Sequence, residues 1–281
     1  PAAAGSEDFL VEEGGRLGEV YGYKTDGFYT ADDFTFDAEK GTYALKAGVN
    51  DCSSLIGGKV YPGSIKLKAN EDGEYKKERL GNTVPTVSGG FGLNARWKGF
   101  DFTAFFNYSL GNKIVNATKL GSSFYSGSSK NWNINDHFTS ANRYSWIDPS
   151  TGTNLLSSAS IKANGEAWTI NRLNEVNTGS SIWNPAAATV MPLVDWAVED
   201  GSFLRVNNIT IGYTLPKLFV SKLNIQNIRI YVTGYNLHCF TKYSGTDPEV
   251  DCCTSTPMTP GIDYAAYPKS RSFVGGINVT F

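Results

Sequence analysis

Val87 to Leu110 reads VSGGFGLNARWKGFDFTAFFNYSL, and this stretch decides the fold. Val87, Gly89, Phe91, Leu93, Ala95 and Trp97 alternate with Ser88, Gly90, Gly92, Asn94 and Arg96. After Lys98 and Gly99 the alternation resumes, with Phe100, Phe102, Ala104, Phe106, Tyr108 and Leu110 set against Asp101, Thr103, Asn107 and Ser109. Successive side chains of a strand point to opposite faces, so each run carries one apolar and one polar face. Two such runs joined by a residue pair containing Gly predict a tight β-hairpin.

Outward from this hairpin, three further runs keep the two-residue period. Phe203, Ile209, Ile211, Tyr213 and Leu215 alternate with Leu204, Asn208, Thr210, Gly212 and Thr214. Ile228, Ile230 and Val232 oppose Arg229, Tyr231, Thr233 and Tyr235. Phe273, Gly275, Ile277, Val279 and Phe281 oppose Ser272, Val274, Gly276, Asn278 and Thr280. Strands are therefore expected over 87–97, 100–110, 203–215, 227–238 and 271–281, and no amphipathic helical spacing competes with them.

The connections are unequal. Two residues close the first hairpin and Pro216 to Gln226 joins the third and fourth runs, whereas 111–199 and 241–270 are long. A compact soluble domain rarely carries structureless connections of that length. An outer-membrane β-barrel does: its turns are short on the periplasmic side and its loops long outside. With the Lys98-Gly99 turn in the periplasm, the chain rises to the 111–199 loop, descends to the Pro216 connection, rises to the 241–270 loop and descends to Phe281. Trp97, Phe100 and Tyr213 then fall where an interfacial aromatic girdle belongs. Residues 1–86 are read as an extracellular region leading into the barrel, and 87–281 as strands with their extracellular loops.

Composition agrees with an all-β membrane protein. The 281 residues are 41% hydrophobic and 13% aromatic, with 30 Gly and a formal net charge of -2. No stretch approaches the roughly 18 consecutive apolar residues of a membrane-spanning helix, while barrel strands need only about 9 to 11 alternating residues. No run of Lys and Arg interleaved with aromatics marks a nucleic-acid surface. The chain opens at Pro1 without a Met or an apolar signal segment, which favours a mature product or a fragment. Cys52, Cys239, Cys252 and Cys253 form no CxxC pair and have no His at ligand spacing, so they do not read as a zinc site, and disulfides and free thiols both remain open. A soluble carbohydrate-binding β-sandwich is the alternative architecture, but it requires turn signals every 8 to 12 residues, roughly, and the loops here do not supply them.

Five segments carry a family resemblance: GEVYGYKTDGFY (18–29), VPTVSGGFGLNARWKGFDFTAFFNYSLGNKI (84–114), WAVEDGSFLRVNNITIGYTLP (196–216), IRIYVTGYNLHCFTKYSGTDPEV (228–250) and TPGIDYAAYPKSRSFVGGINVTF (259–281). They resemble, in order, the last part of SusC/RagA-like TonB-dependent transporters of the Gram-negative outer membrane. The resemblance implies the last five strands of a roughly 22-stranded antiparallel barrel with a plugged lumen. It also implies active import of an oligosaccharide or peptide, a SusD-like surface lipoprotein as lid, and energy from TonB acting through an N-terminal segment that lies upstream. Phe281 resembles the terminal aromatic signal read by the barrel assembly machinery. A passive porin or a structural adhesin barrel is the competing function, since it shares the strand chemistry without the plug.

Candidate contact residues follow from placement. Trp132, Tyr144, Trp146, Trp168 and Trp183 in the 111–199 loop can stack on sugars or face the lid, or simply pack the loop. Asn94, Arg96, Asp101, Asn107 and Arg229 are expected on the lumen face, as plug contacts or ordinary polar lining. Asn70, Asp72 and Gly73 match part of an Asp-x-Asn-x-Asp-Gly calcium loop, but Lys68 occupies the position of the first Asp, so a polar turn is the better reading. Glu199 and Asp200 point to opposite faces of a strand and cannot act as an acid pair. With no GxSxG, HExxH or phosphate-binding glycine loop, no enzyme activity and no cofactor are expected.

Overall fold

The hairpin at 87–110 forms as its alternation requires. A computed structural model describes residues 8–125, 133–220, 225–249 and 258–281. In it β1 (Val87–Trp97) and β2 (Phe100–Leu110) pair antiparallel from Val87↔Leu110 to Trp97↔Phe100. Lys98 and Gly99 both adopt positive φ, 47° and 89°, the geometry of the two-residue turn whose twist matches the flanking strands. Gly takes this conformation without steric cost.

Three more strands extend the sheet: β3 (Phe203–Thr214), β4 (Asn227–Thr241) and β5 (Ser272–Thr280). The order β1-β2-β3-β4-β5 is an up-and-down meander in which each strand pairs antiparallel with its neighbour in sequence. The cross-strand pairs collect one apolar face: Leu93, Ala104, Ile209 and Gly234 lie in one row, and Ala95, Phe102, Ile211, Val232 and Gly275 in the next. This face stays open. Trp97 is 68% exposed, Ile211 55% and Ile277 65%. In water such a continuous apolar surface would seek a partner; in a bilayer it is the lipid-facing band.

One expectation about this face is corrected. The alternation of Ile209, Ile211 and Tyr213, carried straight up β3, predicts Phe203 on the apolar face and Leu204 on the polar one. The register breaks between Val206 and Asn208, where β3 places one extra residue against the consecutive pair Phe105 and Phe106 of β2. The same break in β4 leaves Asn236 and Leu237 between Tyr235 and His238, with Asn236 at φ 51°. A bulge of one residue exchanges the faces beyond it. Leu204 therefore joins Tyr108 and Phe240 on the apolar side, while Phe203 pairs with Ser109 and Thr241 on the polar side, where it is buried.

The chain forms two compact units. The sheet belongs to the unit made of Val11–Gly18, Gly81–Val115 and Glu199–Phe281. The other comprises Glu19–Leu80 and Asn116–Val198 with residues 8–10. Thus much of what reads as loop, 1–86 and 111–199, folds together around its own core of Val20, Tyr29, Phe34, Ile56, Ile65, Leu67, Tyr144, Leu155, Ile161, Leu173 and Val194, all but fully buried. Short strands Thr25–Phe28 with Ile65–Leu67, and Phe34–Asp37 with Thr42–Leu45, supply one part. A helix, α1 (Ser158–Val176), supplies another. Ser157 caps its N-terminus, Glu166 accepts a hydrogen bond from the Phe36 amide at 3.0 Å, and Gly165 (φ 78°) kinks it, so no single apolar stripe runs along its length.

Leu93→Arg and Asn94→Arg place a cation at nearly the same depth on opposite faces of β1. In the full-length protein folded into phospholipid vesicles, denaturant titration should show Leu93→Arg costing about 2–4 kcal/mol, and Asn94→Arg about 1 kcal/mol or less, the loss of its bond to Thr103. Equal costs would contradict the assignment of faces.

Candidate functional site

The polar face of the sheet is a set of cross-strand clasps. Arg229 on β4 reaches over β3 to Asp101 on β2, with Nε and Nη2 donating to the two carboxylate oxygens at 2.9 and 2.5 Å. The bridge crosses at Gly212, where a Cβ would lie 2.5–2.7 Å from the guanidinium and the carboxylate. Only glycine leaves that passage free. Arg96 stands directly opposite Asp101 in the β1–β2 register, and these residues line one groove with Lys98, Thr103, Thr214 and Asn227. Asn94 accepts a hydrogen bond from Thr103 at 3.0 Å, and Thr210 bonds Thr233 at 2.8 Å. Asn94, Arg96, Asp101 and Arg229 are thereby brought together at the turn end of the sheet.

Asn107 lies further along the same face and belongs to a second, larger cluster. Its amide donates to Glu249 at 3.1 Å. The centre of that cluster is Arg205, 3% exposed, which the alternation alone does not single out because its position depends on the bulge. Its guanidinium donates to Asp247, also buried, and to the Asn236 side chain at 2.6 Å, and its Nε lies 2.6 Å from Glu249. Glu249 also holds Lys269 at 2.7 Å, and Asn236 donates to the carbonyls of Lys269 and Ser270 at 2.8 and 3.2 Å. Phe203 packs under the guanidinium, 5.6 Å from ring centroid to Cζ. The connection between β4 and β5 is thus fastened onto the polar face at the bulge. Tyr243 adds a further tie by donating to the buried Asp263 at 2.5 Å; burial raises its phenol above the ordinary range, and the Asp263 bond adds to this.

The five aromatics of 111–199 separate. Trp132 lies outside the described residues. Tyr144 and Trp183 are buried: Tyr144 meets Phe28 edge-on at 5.5 Å and burial raises its phenol, while the indole N–H of Trp183 donates to the Ser123 carbonyl and its ring packs against Phe138 and Trp196. Both are core groups of their unit, out of reach of a ligand. Trp168 on α1 is 43% exposed. Trp146 is half-buried, donates to the Pro62 carbonyl at 2.6 Å and neighbours Tyr61 at 5.5 Å. No single site gathers all of them.

Asn70 and Asp72 form a hydrogen-bonded turn. The Asn70 side-chain oxygen accepts from the amides of Asp72 and Glu74 at 3.1 and 2.8 Å, and Glu74 pairs with Lys76. The oxygen a cation would need is occupied by backbone donors, and no cluster of three metal-ligating side chains occurs among the described residues. Elsewhere in the same unit, Arg172 on α1 grips the buried Asp148 with Nε and Nη2 at 2.7 and 2.8 Å, which holds that carboxyl well below its ordinary range.

No family model matches the chain. In sequence it is similar to TonB-dependent receptor P3 of Formosa agariphila, 30% identical over 277 residues that make up 97% of this chain and 23% of the relative. TonB-dependent receptor P39 of the same organism is 26% identical over 97% of the chain and 26% of the relative. TonB-dependent receptor SusC of Bacteroides thetaiotaomicron is 34% identical over 89 residues, 31% of the chain and 8% of SusC. The fold is similar to that of a solved RagAB peptide transporter, with a TM-score of 0.52 at 20% identity over 94% of this chain and 22% of that one. The chain spans about a quarter of the length of the first two of these relatives.

Two outcomes follow from these ion pairs. Arg205→Met leaves Asp247 buried without its cation and should cost about 3–5 kcal/mol in denaturant unfolding of the full-length protein, with Arg205→Met/Asp247→Asn recovering part of the loss; a single-variant cost near zero would contradict the network. Because the folded pKa of Asp148 is depressed, its contribution is complete above the ordinary Asp value and declines as pH falls toward the folded one. The difference in thermal midpoint between the parent and Asp148→Asn should therefore hold steady at neutral pH and shrink below about pH 4. A difference independent of pH would contradict the pairing.

Proposed function

We propose that the chain is a portion of a SusC/RagA-like TonB-dependent receptor of the Gram-negative outer membrane, and that the whole protein imports a nutrient through its barrel under TonB control. The observation that carries the proposal is the open apolar face of a five-stranded meander in a chain similar along 97% of its length to TonB-dependent receptors. The two edge strands, β1 and β5, each pair on one side only within this chain. Unpaired strand edges are not tolerated in hydrocarbon, so upstream strands of the same barrel complete the wall.

In this reading the Lys98-Gly99 turn faces the periplasm, and the unit built from Glu19–Leu80 and Asn116–Val198 lies outside the cell. There it meets the nutrient, an oligosaccharide or a peptide, and a SusD-like lipoprotein lid. The polar face with Arg96, Asp101 and Arg229 turns toward the barrel interior and the domain that fills it. The energy comes from the inner membrane, with TonB pulling through an N-terminal segment beyond this chain. No covalent chemistry is involved, so what the protein must supply is a pre-formed recognition surface and a wall that keeps its shape while the interior moves. The clasps across Gly212 and around Arg205 support that second requirement.

Deleting the gene, or removing TonB in the otherwise intact strain, should abolish concentrative uptake of the cognate nutrient to the same extent. Uptake that persists without TonB, following the gradient only, would replace this reading with a passive porin.

A further inference from the structure

Three aromatic rings from three separate segments of the unit made of Glu19–Leu80 and Asn116–Val198 form one half-exposed strip. Tyr43 comes from the strand Thr42–Leu45, Tyr61 from a tight turn, and Trp146 from the segment before α1. Tyr43 and Tyr61 stand 6.3 Å apart between ring centroids, and Tyr61 and Trp146 5.5 Å. Behind the strip, Phe36 is buried and packs on Tyr43 at 5.6 Å. Lys59 completes the set: its exposed ammonium sits 4.7 Å from the Tyr43 ring centre and 5.1 Å from that of Tyr61.

Each ring is held in place. Tyr43 is fixed by the Phe36↔Tyr43 pair of its two-stranded sheet. The Tyr61 turn closes through Ser64, whose amide donates to the Tyr61 carbonyl at 2.8 Å while its hydroxyl receives the Tyr61 amide at 2.8 Å. Gly63 within that turn has φ 87°, and a Cβ there would lie 2.4 Å from the Tyr144 ring, so both the turn and its seat on the core require glycine. Trp146 spends its N–H on Pro62, which leaves a ligand only the face of its indole.

These facts narrow the ligand. The rings are tilted, 56° between Tyr43 and Tyr61 and 43° between Tyr61 and Trp146, and such a half-exposed aromatic cluster, with the indole donor already used, suits the C–H groups of sugar rings better than a partner that needs backbone hydrogen bonds. Among the described residues the phenol oxygens of Tyr43 and Tyr61 have no hydrogen-bond partner, which leaves them for sugar hydroxyls, and Lys59 meets no carboxylate. An ammonium held over two aromatic faces keeps donors for an incoming anion, and a charge-assisted hydrogen bond to carboxylate or sulfate is about twice as strong as a neutral one. Resting on the import reading above, we infer that Tyr43, Lys59, Tyr61 and Trp146 form a binding platform for an acidic oligosaccharide, one whose sugars carry carboxylate or sulfate groups.

The full-length receptor in detergent tests this by calorimetric titration with oligogalacturonates and sulfated carrageenan oligosaccharides, alongside neutral galacto-oligosaccharides of equal length and a glutamate-containing tripeptide. At least one acidic saccharide should bind in preference to the neutral and peptide probes. Lys59→Met should weaken it about tenfold or more, with Lys59→Arg retaining most of the affinity and Tyr61→Ala also weakening it. Lys59 is exposed, so the two Lys59 variants should keep the parent near-UV dichroism. Failure of every acidic probe, affinity indifferent to Lys59→Met, or preference for the neutral saccharide or the peptide would each overturn the inference. TonB-dependent uptake of any nutrient by the same strain would then still stand, which separates the fate of this platform from that of the import reading.

Discussion

A strand in hydrocarbon has no water to satisfy its amides, so each N–H and C=O must find its partner on the next strand. The sheet of this protein is arranged around that constraint. Its strands run antiparallel in sequence order, the turn at Lys98-Gly99 takes two residues, and its cross-strand pairs hold one apolar face in register from Trp97 to Val279. Once the backbone is satisfied in this way, side chains of the two faces are free to serve opposite surroundings. Ile211 and Ile277 stand exposed on the apolar face, and Asp101 and Arg229 clasp each other on the polar one.

The polar face shows how the remaining polar demands are met. Burying a guanidinium or a carboxylate alone is expensive, and the cost falls only where the opposite charge and further hydrogen bonds converge. Gly212 makes one such convergence by leaving β3 low enough for Arg229 to pass over it. The bulge makes another. By exchanging the faces of β3 above Asn207, it carries Arg205 into the polar side and Leu204 out of it, and the left-handed Asn236 of β4 turns its amide onto the same guanidinium. The connection after β4 then closes over the cluster through Asp247, Glu249 and Lys269. A local irregularity of the ladder thus decides where a long connection is anchored.

Much of this was legible from residue order alone, because a period of two survives without tertiary information. All five strands, the primed hairpin turn and the polar neighbours Asn94, Arg96, Asp101 and Arg229 follow from it. The exchange of Phe203 and Leu204 was not legible: nothing in FLRVNNITIGYT distinguishes an inserted Asn207 from an ordinary strand residue, since the bulge is defined by the partners on β2 and β4. Arg205 was missed for the same reason. The helix α1 has too few apolar positions and a glycine at its kink, so its spacing carries little signal, and the core that unites 19–80 with 116–198 is made by contacts between segments far apart in the chain. Among the candidate aromatics, identity as Trp or Tyr did not separate the buried Tyr144 and Trp183 from the accessible Trp146 and Trp168; only packing does.

These strands cross the bilayer with one face to lipid, and that face changes parity at Asn207. A nitroxide scan along β3 addresses it most directly, in the full-length receptor freed of native cysteines and reconstituted in vesicles, comparing collision with dissolved oxygen against a water-soluble relaxer. Oxygen-dominated collision is expected at residues 209, 211 and 213, the reverse at 208, 210 and 212, and a shift of phase above the bulge that makes 204 lipid-facing and 203 not. Uniform water access along β3, or an alternation that runs through 203–213 without a change of phase, would contradict it.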